Sequence, residues 1–380
     1  MSPISIVPCE STRKSLKEFV LSPWKIYRPK GKPSDKNWVP PLIQQQIDLL
    51  DPKKNPFFLH SETQCFLAKK DGETVGRIAA IWNNNHNKLH NENVGFFGFF
   101  DCINDQEVAN ALLKRADEWV AERGGIALRG PTNLTTNDEC GFLVKGFDSP
   151  PYMGLTYNPE YYLELINKAG FQKSMDLYSY YLDASSGPQE LLEQAAKAVA
   201  EEEQLTKHDI TKKNFDEMVG YAKDIYNKSW EKNWGFVPLT EEEFAFHVKE
   251  LKQVMIPDFC FVIFSKGEPI GWSMTLPNYN EVLIKLNGRL TPWGIIKFLY
   301  YKRKIETVRV FTLGLLPEYQ HKGIALFAYW HTMLAGLKTG ITRGEMSWVL
   351  ESNLPMRKGI EQVGGNQYKT YRIFERPITN

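Results

Sequence analysis

The chain has 380 residues and a formal net charge of +1, from 46 Lys and Arg against 45 Asp and Glu. That length suits two or three domains, and the balanced charge, with no basic block, excludes nucleic acid as an expected partner. No run approaches the ~18 uninterrupted apolar residues of a membrane span, the start M-S-P-I-S-I-V-P-C-E lacks a charged-then-apolar export pattern, and Cys9, Cys65, Cys102, Cys140 and Cys260 form no C-x-x-C pair. The cysteines therefore read as reduced, mostly buried thiols of a cytoplasmic protein.

Residues 1–60 read as an arm: 16–20 is helical, Trp24 to Tyr27 precedes a Pro-rich basic loop reaching Pro41, and 42–50 is a short helix. Strands at 64–69 and 74–82 join at Asp71-Gly72, a tight-hairpin dipeptide. His86 and His90 fall in an Asn-rich stretch that could ligate a metal, but a polar, solvent-facing turn fits better and no metal is expected. A strand at 94–100, a helix at 105–123 and a strand at 126–129 follow, the last ending at Asn133. The polar stretch 134–159 is an inserted loop, a length that usually marks function or mobility. Asn133, Asn137, Asp138 and Glu139 are candidates for the wall of an acceptor pocket; the alternative is a surface excursion.

Ala184-Ser185-Ser186-Gly187-Pro188 is a linker, so the expected domains are 1–183 and 184–380. Helices at 189–204 and 214–230 come next, the first with Leu191, Leu192, Ala195, Ala198 and Val199 on one stripe. Trp230, Asn233 and Trp234 lie in a segment dense in indoles and amides; the indoles could line an apolar slot or serve as plain core. Thr240 with Glu243 is a capping box, and strands at 259–264 and 269–276 form a hairpin around Lys266-Gly267. Residues 289–304 combine Trp293, Ile295, Ile296, Phe298, Leu299, Tyr300 and Tyr301 with Lys297, Lys302, Arg303 and Lys304. Such a helix either lies on an anionic membrane surface, giving peripheral contact at the inner face, or is a core helix with a solvated basic end.

Residues 308–316 are β-rich and turn at Pro317. From Ile324 the apolar period becomes helical, with Leu326, Trp330, Met333 and Leu337 on one face, and Lys338 and Gly340 mark the stop. Between them lies Gln320-His321-Lys322-Gly323-Ile324-Ala325. The first amides of a helix lack intrahelical partners and sit at the positive end of its dipole, so this turn suits phosphate. Gly323 and Ala325 leave the backbone bare, and Lys322 adds charge.

The chain also repeats itself. With Gly98 over Gly314, Phe99 falls over Leu315, Asp105 over His321, Ala109 over Ala325 and, after a small shift, Asn133 over Asn353. Two copies of one αβ unit are expected. Glu107 stands where Gly323 does, with Asp101 and Asp105 nearby; acids at a helix start satisfy its dipole and repel phosphate. The first copy should not bind a phosphate donor.

Gln320-x-x-Gly323-x-Ala325 after a strand and opening a helix resembles the acyl-CoA pyrophosphate loop of the GNAT superfamily. The strand 345–350, Asn353, a helix, Gly364-Gly365 and a last strand 368–374 continue in that family's order. Arg129-Gly130-Pro131, the 135–151 stretch and Trp230 to Gly235 further resemble a tandem GNAT-like bacterial branch that includes proteins described as bacterial ceramide synthases. The resemblance implies an α/β fold of two mixed-sheet GNAT-like units, the first degenerate. It implies an N-acyltransferase with acyl-CoA (acetyl-CoA or long-chain acyl-CoA) as co-substrate on Leu315, Leu316, Gln320, His321, Lys322, Gly323, Ile324, Ala325 and Asn353, and a small-molecule or lipid amine near Asn133, Asn137, Trp230, Asn233 and Trp234. The ceramide synthase branch implies a long-chain donor and a sphingoid-like amine.

The family's acid and base do not carry over. The strand before the loop is Phe311-Thr312-Leu313, with no acid, and Ile360 occupies the place of a common tyrosine. Glu351, Tyr371, Glu139 and His331, in that order, or water, are the candidates for proton transfer. The alternatives are a small-molecule N-acetyltransferase, a catalytically silent acyl-CoA-binding protein, and a Fem-type aminoacyl transferase, which the near-zero charge disfavours because it uses tRNA.

Overall fold

The computed structural model describes residues 3–187 and 189–378; Pro188 of the linker lies outside them. The first half forms β1 (Ile4–Pro8), α1 (Arg13–Tyr27), α2 (Ile43–Leu49), β2 (Ser61–Lys70), β3 (Glu73–Asn83), α3 (Asn84–His90), β4 (Val94–Cys102), α4 (Gln106–Ala121), β5 (Ala127–Gly130), β6 (Phe142–Lys145), α5 (Tyr161–Lys168) and β7 (Gln172–Asp183). The second half forms α6 (Glu190–Glu202), β8 (Leu205–Asp209), α7 (Phe215–Trp230), α8 (Glu241–Val254), β9 (Cys260–Ser265), β10 (Glu268–Pro277), α9 (Asn280–Leu286), α10 (Pro292–Lys302), β11 (Thr307–Leu315), α11 (Ile324–Thr339), β12 (Arg343–Leu350), α12 (Leu354–Gln362) and β13 (Asn366–Pro377).

The chain divides into two compact units that are discontinuous in sequence. Unit 1 holds residues 1–176, 280–302 and 369–380; unit 2 holds 177–279 and 303–368. In unit 1 the strand order is β1-β2-β3-β4-β5-β13, with β6 also on β13. Val108, Leu112, Leu113, Ala116 and Val120 of α4 and Leu165 of α5 fill one face. Leu16, Phe19 and Val20 of α1 and Ile47 of α2 fill the other. In unit 2 the order is β7-β12-β11-β10-β9-β8. There α6 and α11 pack through Leu192, Val199, Ile324, Phe327 and Met333; each such buried side chain contributes about 1.5–3 kcal/mol. Leu313 and Leu315 point into that layer, so by strand alternation Thr312 and Gly314 face the opposite side, where α7 lies. The closing strands are exchanged between the sequence halves: Phe374 to Pro377 pair with β5, and Leu177 to Asp183 pair with β12.

Several expectations are corrected. The arm contains a strand, β1, paired antiparallel with β2 from Ile4↔Lys70 to Pro8↔Phe66, and Trp24 to Tyr27 belong to α1. His86 is not on a solvent turn. It is buried on α3, its Nε2 lies 3.0 Å from Glu92 Oε2, and Arg129 bridges Glu92 and Glu375. Burial pushes its imidazole down to about 4. The 134–159 stretch is not structureless either, since it contains β6 and its Cys140 forms a bridge with Thr132. All five cysteines are buried, and none forms a disulfide among the described residues. Among the described residues no helix is long and apolar enough to cross a membrane.

Candidate active site

The strand β11 and the start of α11 leave backbone groups unpaired among the described residues. β11 pairs in parallel with β12 only from Thr307↔Arg343 to Val310↔Met346. It stays paired with β10 as far as Gly271↔Leu315. Among the described residues, 311–315 therefore present a backbone edge on the β12 side with no strand against it, an open edge that an extended chain can pair with. Beside the parting the buried Arg309 guanidinium holds Ser347 of β12, Nε donating to Ser347 Oγ (3.0 Å) and Nη2 to Ser347 O (3.0 Å).

Beyond the edge, Gln320 Nε2 donates to Leu315 O (3.0 Å) and fixes the turn. His321 (φ 68°) and Gly323 (φ 76°) are both left-handed, which aims successive amides at one point. α11 opens with no side-chain cap and no acid in its first turn. Among the described residues the amides of Lys322, Gly323, Ile324 and Ala325 have no acceptor. A Cβ built on Gly323 meets nothing nearer than Leu326 Cδ1 at 3.9 Å. The cradle is bare, exposed and rigidly seated, because Ile324, Phe327 and Ala328 behind it are buried. Lys322 already pairs with Glu203 (3.0 Å) and lies over the Tyr319 ring.

The α7 side supplies an aromatic wall. A Cβ on Gly314 would lie 2.5 Å from the Trp230 ring, and Ser229 Oγ donates to Leu315 O (2.8 Å). Tyr226 connects Trp230 (4.6 Å between centroids) with Trp272 (6.4 Å). Asn233 and Trp234 are half-buried on the turn after α7, where Asn233 N donates to Trp230 O. Two polar atoms on this face escaped the sequence reading: Thr312 Oγ1 and Trp272 Nε1 are buried without a partner among the described residues. Thr312 stands opposite Met274 and Gly314 opposite Trp272, so the alternation W-x-M against T-x-G is the signal that could have found them.

The remaining candidates fall as follows. Asn353 does not stand free for a ligand, since its Oδ1 caps α12 by accepting from Met356 N (3.2 Å). Glu351 lies half-buried just past β12, its carbonyl accepting from Arg357 Nη1 (3.0 Å). His331 is eight residues past Gly323, about 12 Å along the helix, and packs on Phe327 (4.3 Å) and Trp330 (4.7 Å). Burial, with Lys207 adding to it, pushes its imidazole down to about 4, so the ring is neutral at neutral pH. Asn133, Asn137, Glu139 and Tyr371 belong to unit 1. Asn133 Oδ1 accepts from Phe99 N (2.8 Å) and its Nδ2 donates to Glu139 Oε2 (3.3 Å); Asn137 N donates to Thr135 Oγ1; Tyr371 is fully buried on β13 opposite Leu143.

The equivalent corner of unit 1 is closed. The β4–β5 pairing stops at Phe96↔Arg129, but Thr132 N then donates to Phe97 O (2.7 Å), filling the gap with backbone. Asp105 caps α4 by accepting from the amides of Glu107 (3.0 Å) and Val108 (3.4 Å), and Lys70 Nζ holds the same carboxylate at 2.9 Å.

No family model matches the chain. It is 33% identical over 379 residues to Protein YghO of Escherichia coli, covering 96% of this chain and 94% of that one. It is 34% identical over 386 residues to the bacterial ceramide synthase of Caulobacter vibrioides, covering 99% and 98%. Among solved structures it is similar to a tandem GNAT protein from the clavulanic acid biosynthesis pathway (TM-score 0.58, 10% identity, 100% and 99% covered). It is also similar to a GCN5-related glucosamine N-acetyltransferase region of a fungal β-N-acetylglucosaminidase (TM-score 0.56, 12% identity, 99% and 38% covered). At such identities these two likenesses show the fold alone.

Proposed function

The chain belongs to the family of the Caulobacter ceramide synthase and YghO, on a tandem GNAT fold, and on that premise we propose that it is an acyl-CoA-dependent N-acyltransferase acting on a sphingoid-like lipid amine with a long-chain acyl donor. The observation that carries the donor assignment is the pairing, in unit 2 alone, of an unfilled strand edge at 311–315 with an uncapped helix start at 322–325. The edge suits the amide-bearing pantetheine arm, and the amides of Lys322 to Ala325 suit the diphosphate. The 184–380 half carries this site, and the 1–183 half is its degenerate twin.

In the reaction the amine nitrogen bonds to the acyl carbon, the C–S bond breaks, and the proton lost by nitrogen balances the departing thiolate. A β11 amide at the open edge stabilises the oxyanion. Glu351 leads as proton acceptor because it follows β12 in unit 2, and water can serve in its place; His331 is far along α11 and packed among rings. Trp230, Trp234 and Thr312 form the acceptor side. The lipid reading is supported by the ceramide synthase name of a relative matched over nearly the whole chain and by the aromatic wall around Trp230. An acceptor of this class resides in a membrane leaflet, so the enzyme works at that surface.

Two observations favour a catalytically silent acyl-CoA binder instead: β11 bears no acid, and Ile360 is fully buried. Release of free thiol from long-chain and acetyl-CoA, measured with a sphingoid amine and with a panel of soluble amines, separates the readings. Thiol release and a new amide with the sphingoid amine are expected. Turnover of soluble amines only would shift the assignment to an N-acetyltransferase, and binding without turnover would make the protein silent.

A further inference from the structure

Residues 289–304 carry Arg289, Lys297, Lys302, Arg303 and Lys304 and no acid. The structure turns 292–302 into α10, and its apolar side faces solvent rather than core. Trp293 is 76% exposed, Ile296 and Leu299 57%, Tyr300 56% and Ile295 49%. At about 100° per residue, Ile295, Leu299, Ile296, Tyr300 and Trp293 follow one another across roughly 160° of the surface. Lys297 bounds one flank and Lys302 the other, while Gly294, Phe298 and Tyr301 turn inward. The core-helix alternative is thereby corrected.

The stripe is held by a fixed base. Thr291 caps α10, its Oγ1 accepting from Gly294 N (3.1 Å) and its carbonyl from Ile295 N (2.8 Å). Asn287 Oδ1 accepts from Trp24 Nε1 (2.8 Å), and Gly288 (φ 74°) presents its carbonyl to Ile43 N (3.0 Å). A Cβ on Gly288 would lie 2.6 Å from the Trp24 ring. The turn that carries α10 is thus locked onto α1 and α2.

We propose that α10 is a docking helix for an anionic phospholipid surface, lying in the plane of the interface with Trp293, Ile296 and Leu299 among the acyl chains and Lys297 and Lys302 at the headgroup phosphates. An apolar stripe flanked by lysines matches that interface in both hydrophobicity and charge. A second copy does not match it, because a two-fold contact through this stripe brings the lysine rows of both copies together. At 11 residues α10 is about 16 Å long and cannot span. The inference deepens the lipid reading above, since it places the enzyme where such an amine resides, but the surface is testable without turnover.

The test is co-sedimentation of the full chain with vesicles of phosphatidylcholine alone and of phosphatidylcholine mixed with phosphatidylglycerol. Binding is expected only to the mixed vesicles and should weaken with salt. The K297E/K302E variant should lose at least about fivefold in affinity per lysine, and I296E/L299E should lose binding altogether. Circular dichroism and melting of both variants should match the parent, since all four side chains are exposed. Equal binding to both vesicles, unchanged binding by I296E/L299E, or a solution dimer that I296E/L299E dissociates would each overturn the proposal. Turnover of a detergent-dispersed sphingoid amine should be the same in I296E/L299E and parent. If neither turns over while vesicle binding persists, the acceptor assignment fails and the docking surface stands.

Discussion

The starts of α11 and α4 occupy the same register of the internal repeat and solve the same problem in opposite ways. Every helix start leaves amides without intrahelical partners. At α4, Asp105 takes two of them and Lys70 balances its charge, while Thr132 fills the parting between β4 and β5. At α11 there is no cap, Gly323 leaves the corner bare, and the parting beyond Val310 stays open. A corner that satisfies itself is structural; one that leaves its donors to solvent has given up local stability, and a ligand is the natural recipient of those donors. The difference lies in a few side chains rather than in the fold, so substitutions can move one corner toward the other.

The largest effect is expected at Gly323→Glu, which imports the acid of the twin. Acyl-CoA affinity should fall about 100-fold or more, from repulsion at close range, whereas Glu107→Gly should leave it unchanged. Calorimetry on both variants reads this directly, and equal affinities would remove the cradle assignment.

Next come the two aligned strand glycines. A Cβ on Gly98 would lie 2.1 Å from the Thr132 carbonyl, and one on Gly314 2.5 Å from the Trp230 ring. Backbone cannot yield, so Gly98→Ala should destabilise the fold by about 1–3 kcal/mol without altering acyl-CoA binding. A ring can yield, so Gly314→Ala should displace Trp230 and lower kcat/KM roughly tenfold or more with little change in stability. Urea melts together with thiol-release kinetics distinguish them; an identical pattern in both variants would erase the contrast.

Asp105→Ala should cost about 1 kcal/mol through the lost cap. Lys70 holds the Asp105 carboxyl below its ordinary value, so this contribution is present above the unfolded value near ~3.9 and is lost as pH falls through the lower folded one. The gap between parent and variant in denaturant midpoint should therefore narrow in acid; a gap constant with pH would point to packing instead. The smallest effect is expected at Thr312→Val. Because Oγ1 has no partner among the described residues, stability should hold or rise slightly, while the KM of the acceptor should rise about fivefold if the hydroxyl meets it.

The segment 308–337 was legible because its information is local: a change of period from strand to helix, a glycine where the backbone turns left-handed, and no acid at the helix start. The acids of the twin were legible for the same reason. His86 was not, because an Asn-rich neighbourhood says solvent, whereas Phe96 on β4 and Arg129 on β5 meet it only in the fold, and Glu92, six residues on, pairs with it only because the chain turns back after α3. Asn353 was expected to face a ligand, but a side chain one residue before a helix can cap it, and here it does. Thr312 and Trp272 went unread because only the β10–β11 register sets them on one face.

Sequence alone therefore determined the two-copy αβ plan and which copy opens its helix without an acid or a side-chain cap, since both depend on spacing and residue type within a few tens of residues. Only the tertiary structure decided that, among the described residues, no strand pairs with 311–315 on the β12 side, that the closing strands β7 and β13 are exchanged between the halves, and that the apolar side of α10 faces outward. Those outcomes depend on which distant segments meet, and a hydrophobic stripe reads the same whether a core or a bilayer covers it.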